Sequence, residues 1–137
     1  MKILIDTGCW LWSLAEPERL NVRARRLLSD AGNTVYLSAA SSWEIAIKAA
    51  LGKLQLPERV AKFVPDRMSL QNILGLPVEH AHALRVASLP THHRDPFDRL
   101  LIAQAQLESL GILTADRVFR AYDVEILWAG HGSRGAR

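Results

Sequence analysis

The chain is predicted to be an α/β domain built on a mostly parallel sheet of about five strands. Three observations predict it. Short apolar runs such as Ile3-Leu4-Ile5 and Ile112-Leu113-Thr114 have the continuous character of strands buried on both faces. Longer stretches of helical character separate these runs, so strand and helix alternate as right-handed crossovers require. Acidic residues fall at or just after the ends of several runs, the edge at which open α/β sheets bind their ligands.

The first strand, over residues 3–5, ends at Asp6 and leads into a helix over 9–14 that carries Trp10, Leu11 and Leu14. Asp6 is placed either in a cleft at the sheet edge or as the cap of that helix. Asp6-Thr7-Gly8 also spells the triplet of aspartic proteases, but those enzymes are all-β and this triplet joins a buried strand to a helix. A helix over 20–31 follows, with Arg19, Arg23, Arg25 and Arg26 forming a basic cluster that a solvated face explains. The second strand is Val35-Tyr36-Leu37, and a helix over 40–51 comes next. At about 100° per residue, Trp43, Ile47, Ala50, Leu51 and Leu54 make its apolar stripe. Glu44 lies at the edge of the stripe, with Lys48 four residues on as an ordinary surface partner.

Further helices are predicted over 57–69 and 79–87, on either side of a strand over 73–76. Asp95 suits an N-cap and Pro96 the first helical position, so a helix runs over 96–110. Asp98 projects within its apolar arc of Phe97, Leu101, Ile102 and Ala105, while Arg99 and Gln106 point away. A carboxylate on a core-facing side costs several kcal/mol without a partner. The helix dipole offers only about 0.3–1 kcal/mol, so a cleft shared with a cation is favoured. Asp116 follows the strand over 112–114, either at the same sheet edge or capping the turn Arg117-Val118-Phe119. A last strand covers 124–127.

The chain has 137 residues and an apolar fraction of 49%, which suits one domain with a real core and excludes general disorder. One cysteine, Cys9, makes neither an internal disulfide nor a cysteine-based zinc site, and fits a reducing compartment. The apolar start Met1-Lys2-Ile3-Leu4-Ile5 is interrupted by Asp6 too early for a signal peptide. No run approaches the roughly 18 apolar residues of a membrane span. A cytoplasmic protein is expected. The net charge of +3 permits nucleic-acid binding without requiring it. Trp10, Trp12, Trp43 and Trp128 are assigned to core packing or a protein interface in preference to base stacking.

If the sheet is parallel, Asp6, Glu44, Asp98 and Asp116 converge at one edge. Carboxylates gathered there repel one another unless a cation neutralises them, which predicts a hard divalent metal and phosphodiester chemistry. Two rival chemistries are compatible with parts of the composition. A metal-free ribonuclease would need two histidines as acid and base, and His80, His82, His92, His93 and His131 supply the residue type. A receiver-like domain would need an aspartate after the third strand and a late lysine, whereas that run ends Leu76-Pro77 and no lysine follows Lys62.

The strand ending in Asp6-Thr7, the helical Ser42-Trp43-Glu44-Ile45, the string Arg94-Asp95-Pro96-Phe97-Asp98-Arg99-Leu100-Leu101-Ile102-Ala103-Gln104-Ala105 and Leu113-Thr114-Ala115-Asp116 resemble, in that order, the PIN-domain ribonucleases, and within them the VapC toxins of toxin–antitoxin pairs. The resemblance runs over residues 1–128 and leaves 129–137 as a frayed tail. It implies a three-layer α/β/α PIN domain, an endoribonuclease dependent on Mg²⁺ or Mn²⁺, an RNA substrate, a VapB-type antitoxin and a homodimer. Family acids carry over to Asp6, Glu44, Asp98 and Asp116. Asp6, Asp98 and Asp116 are expected to hold the metal, with Asp95 as a weaker candidate, and Glu44 to orient or deprotonate the attacking water. Arg94 and Arg99 are candidate phosphate contacts. Thr7, Ser38 and Thr114 are candidates for an outer shell of hydroxyls. The alternative is a non-catalytic RNA-binding or regulatory module of the same fold.

Overall fold

A computed structural model describes residues 1–132. Five strands form one sheet: β1 (Lys2–Ile5), β2 (Thr34–Ser38), β3 (Leu74–Leu76), β4 (Gly111–Thr114) and β5 (Ile126–Trp128). The order across the sheet is β3-β2-β1-β4-β5, and every pairing is parallel. Chain order runs outward from β1 through β2 to β3, then resumes on its other side with β4 and β5. The direction of winding therefore changes at β1 and β4, and the crevice beyond their C-terminal ends is where such sheets take ligands.

Alternation along β1 divides the core. Ile3 and Ile5 point to one face, packed with Trp10 of α1 (Thr7–Ala15), Ala24 of α2 (Val22–Ser29), Ile45 of α3 (Ala39–Ala50) and Phe63 and Val64 of α4 (Val60–Leu70). Leu4 points to the other, packed with Leu101, Ile102 and Ala105 of α6 (Pro96–Glu108) and with Phe119 and Tyr122. α5 (His80–Arg85) lies against α6. The result is the three-layer arrangement expected. Short 3₁₀ turns at Pro17–Arg19, Val86–Ser88 and Arg117–Ala121 complete the path. Among the described residues, no helix is long and apolar enough to cross a membrane.

Two expectations change. The apolar stripe assigned to α3 is not its buried face: Trp43 is 60% and Leu51 64% exposed, while Ala40, Ser41, Glu44 and Ile45 are buried. The helix is turned by about one residue relative to its hydrophobicity, because its inner edge borders a polar cleft as well as the core. Trp43 instead lies edge-on to Phe97 of α6, with ring centroids 5.2 Å apart. The first residues of the expected tail are packed on the domain. Ala129 is buried, and its backbone N–H donates to the Thr114 carbonyl while its carbonyl accepts from Asn21. Gly130 bridges Leu20. The rest of the expected tail, 133–137, lies outside the described residues.

Leu4 has no exposed surface and sits on the central strand. Leu4→Ala is expected to cost about 2–5 kcal/mol in chemical denaturation, because the α6 layer cannot collapse onto a fixed sheet. A loss below 1 kcal/mol would contradict this account of the core.

Candidate metal centre

Asp6, Glu44, Asp95, Asp98 and Asp116 all line one cleft beyond the C-terminal ends of β1 and β4, together with Thr7, Cys9, Trp12, Lys48 and Arg117. The fold brings together acids separated by more than a hundred residues. β1 delivers Asp6, α3 Glu44, the start of α6 Asp95 and Asp98, and the segment after β4 Asp116.

Asp6 leaves β1 with its backbone N–H donating to the Leu113 carbonyl at 3.0 Å. Its Oδ1 accepts from the Cys9 N–H at 2.7 Å, so it caps α1. Its Oδ2 accepts from the Thr114 hydroxyl. The same hydroxyl oxygen accepts from the Asp116 N–H at 3.0 Å, which ties the two acids into one relay. Burial raises the Asp6 carboxyl above its ordinary value, against the lowering effect of these donors. Burial likewise pushes the Cys9 thiol up, which makes it a poor nucleophile. Asp116 Oδ1 accepts from Val118 N–H at 3.0 Å, and Asp95 Oδ1 from Phe97 N–H and Asp98 N–H at 2.9 and 3.1 Å. These three acids are therefore caps and cleft residues at once.

Glu44 is buried and accepts from the Lys48 ammonium at 2.6 Å. The lysine pKa is raised first by that hydrogen bond, with smaller contributions from Asp95 and Asp98. The expected surface pair is thus the wall of the cleft. Asp98 has the least support. Burial, then Asp95, Asp6, Asp116 and Glu44, push its carboxyl from the ordinary 3.8 to about 8. The nearest basic nitrogen is His93 Nε2 at 3.4 Å.

Oxygen donors of this kind suit Mg²⁺ or Mn²⁺. Among the described residues, no three side chains of metal-binding type are arranged to hold an ion unaided. Mg²⁺ ordinarily keeps several waters and takes one or two carboxylates directly. The crowded negative charge supplies the attraction.

The hydroxyl candidates divide. Thr114 does hold an acid. Thr7 instead donates to Ser41 Oγ at 2.8 Å, joining α1 to α3, and Ser38 Oγ accepts from Ala40 N–H at 3.0 Å as the cap of α3. Arg99 does not face incoming phosphate. Its guanidinium donates to the carbonyls of Pro90, Val86 and Leu89 and to the Tyr122 hydroxyl. Arg94 is exposed beside Asp95. Arg117, absent from the sequence-based candidates, lines the cleft. Its position directly after Asp116 is the signal that would have found it. A separate concavity between α3, α4 and β3, lined by Ala46, Val60, Val64, Met68 and Leu76, holds no ionisable group and is not a chemical centre.

A family model for the PIN domain matches residues 3–125, and the chain belongs to that family. Ribonuclease VapC16 of Mycobacterium tuberculosis is 52% identical over 58 residues, covering 42% of this chain and 41% of that protein. Ribonuclease VapC22 of the same organism is 28% identical over 120 residues, covering 88% and 91%. The crystal structure of VapBC2 from Rickettsia felis, bound to a DNA fragment from their promoter, contains a chain that superposes with a TM-score of 0.70. It is 13% identical, with 94% of this chain and 99% of that chain covered, which establishes the shared fold.

Asp98 binds its proton more tightly when folded than when unfolded. Its contribution to stability is therefore greatest below the unfolded value of 3.8 and declines as pH rises towards about 8. In EDTA, Asp98→Asn is expected to flatten that decline and to be the more stable protein at the alkaline end. Denaturant midpoints across the window check it, and parallel profiles for the two proteins would show that Asp98 is not crowded.

Proposed function

We propose that this chain is a metal-dependent endoribonuclease that hydrolyses RNA phosphodiester bonds as the toxin of a VapBC-type pair. The observation that carries the reading is the convergence of five carboxylates in one cleft, where burial first and then the neighbouring acids raise Asp98 to about 8. Related chains named Ribonuclease VapC support the activity, and a structural neighbour solved as a VapBC complex supports a VapB-type antitoxin as partner. A second copy of this chain belongs to the same proposal.

Asp6, Asp98 and Asp116 would hold Mg²⁺ or Mn²⁺, which supplies charge neutralisation at phosphorus and lowers the pKa of water. Thr114 fixes Asp6 relative to Asp116, so these two donors are set before any ion arrives. Glu44 orients the attacking water or accepts its proton through Oε1, while Lys48 holds Oε2 in place. Asp95 stays engaged with the first turn of α6 and adds field to the cleft. Arg117 and the exposed Arg94 meet phosphates on either side of the bond to be cut. The water oxygen forms the new P–O bond as the ester oxygen departs and takes up a proton.

Asp6→Asn and Asp98→Asn are expected to lower cleavage of a mixed RNA pool by about 100-fold or more, with the fold retained in circular dichroism. EDTA should abolish cleavage by the unaltered protein, and Mn²⁺ should restore it. Cleavage that survives EDTA would overturn the proposal. Metal and RNA binding without cleavage would favour the regulatory module instead.

A further inference from the structure

His93 lies in the loop before α6, and its side chain is only 16% exposed. Its two ring nitrogens have different surroundings. Nδ1 is 3.0 Å from the Tyr122 hydroxyl. Nε2 is buried without a hydrogen bond, and faces Asp98 Oδ2 at 3.4 Å.

The tyrosine decides which nitrogen carries the proton. Its oxygen already accepts from Arg99 at 3.2 Å and from the backbone N–H of His93 at 3.3 Å. Neither donor can accept in return. The phenol's own proton therefore goes to Nδ1, which makes Nδ1 the acceptor and leaves Nε2 as the N–H. The Nε2 atom lies 3.4 Å from Asp98 Oδ2, the carboxylate oxygen within ion-pair distance of it.

The loop is anchored from the same helical turn that carries Asp98. Arg99 follows Asp98 and reaches back to the carbonyls of Val86, Leu89 and Pro90 as well as to Tyr122. His92 packs edge-on against the other side of Tyr122, with centroids 5.0 Å apart. The ring of His93 is thus held from its Nδ1 side by groups that have no other function in the cleft.

We infer that His93 is a positioning residue: through Nε2–H it orients the Asp98 carboxylate for the metal, with Tyr122 and Arg99 fixing its tautomer and place. The inference rests on the reading that Asp98 holds the metal. It also removes His93 from the histidine-only mechanism, since neither ring nitrogen is left to serve a substrate. An outer partner of this kind changes metal affinity or activity by about 10–100-fold when removed.

The test is Mn²⁺ binding to the full chain by calorimetry, alongside cleavage of the mixed RNA pool. His93→Ala should weaken Mn²⁺ by about 10–100-fold. His93→Gln, whose amide N–H can occupy the Nε2 position, should recover most of that loss, which a merely structural role would not give. Tyr122→Phe should fall between them, and it decides the matter if His93→Ala does not fold. Unchanged Mn²⁺ affinity in His93→Ala, or in Tyr122→Phe where the alanine variant is unfolded, overturns the inference while leaving the metal reading intact. An unaltered protein that binds no Mn²⁺ overturns both.

Discussion

Burial of several carboxylates together at the edge of a parallel sheet is the constraint on which the rest of the molecule depends. Two unit charges 4 Å apart interact by about 4 kcal/mol at an effective dielectric of 20. A helix N-terminus returns about 0.3–1 kcal/mol to an acid beside it. The fold places the starts of α1, α6 and the 3₁₀ turn Arg117–Ala121 around the cleft, so Asp6, Asp95 and Asp116 each receive backbone N–H donors. Those donors hold the acids in place, yet their combined effect is smaller than the repulsion they oppose. At Asp98, burial first and then the neighbouring acids raise the carboxyl to about 8.

Capping and cleft roles, which the sequence offers as alternatives, are satisfied together because a carboxylate has two oxygens. Asp95 and Asp116 give Oδ1 to the backbone, which leaves Oδ2 beside the cleft. A side chain held by its own helix start loses little further entropy when it meets an ion, which is the advantage of building a charged site from caps. Asp6 goes further, since Thr114 takes its second oxygen and couples it to the backbone of Asp116. The site is therefore organised through main-chain geometry more than through contacts between acidic side chains.

Local signals in the sequence account for the fold and for the acids. The continuous apolar runs at residues 3–5 and 112–114 needed only burial on both faces to become β1 and β4, and Asp95-Pro96 marked the start of α6. The phase of α3 was not legible, because the hydrophobicity of Trp43 and Leu51 does not report which edge of the helix borders a charged cleft. The uses of Thr7, Ser38 and Arg99 were hidden for a different reason. A hydroxyl or a guanidinium takes whichever partner the tertiary fold presents, and Arg99 finds carbonyls of a loop whose path no periodicity encodes. The contact of Tyr122 with His93 spans 29 residues and leaves no trace in spacing.

The commitment of Arg99 has a consequence for how a polyanion could reach this cleft. With that guanidinium engaged by carbonyls, the basic groups lining the acids are Lys48 and Arg117. Lys48 is already bonded to Glu44, which leaves Arg117 as the cation without a carboxylate among the ion pairs described. With Glu44 paired to Lys48 and Asp98 raised to about 8, Asp6, Asp95 and Asp116 still outnumber that one arginine, so RNA approaching the bare cleft meets net repulsion. A divalent ion held there, as proposed, would offset that charge before phosphate makes productive contact. On that proposal, the acids that crowd one another in the free protein would keep RNA out of the cleft until the ion is bound. A tighter basic lining would bind RNA sooner, at the cost of holding it in a site that lacks its metal.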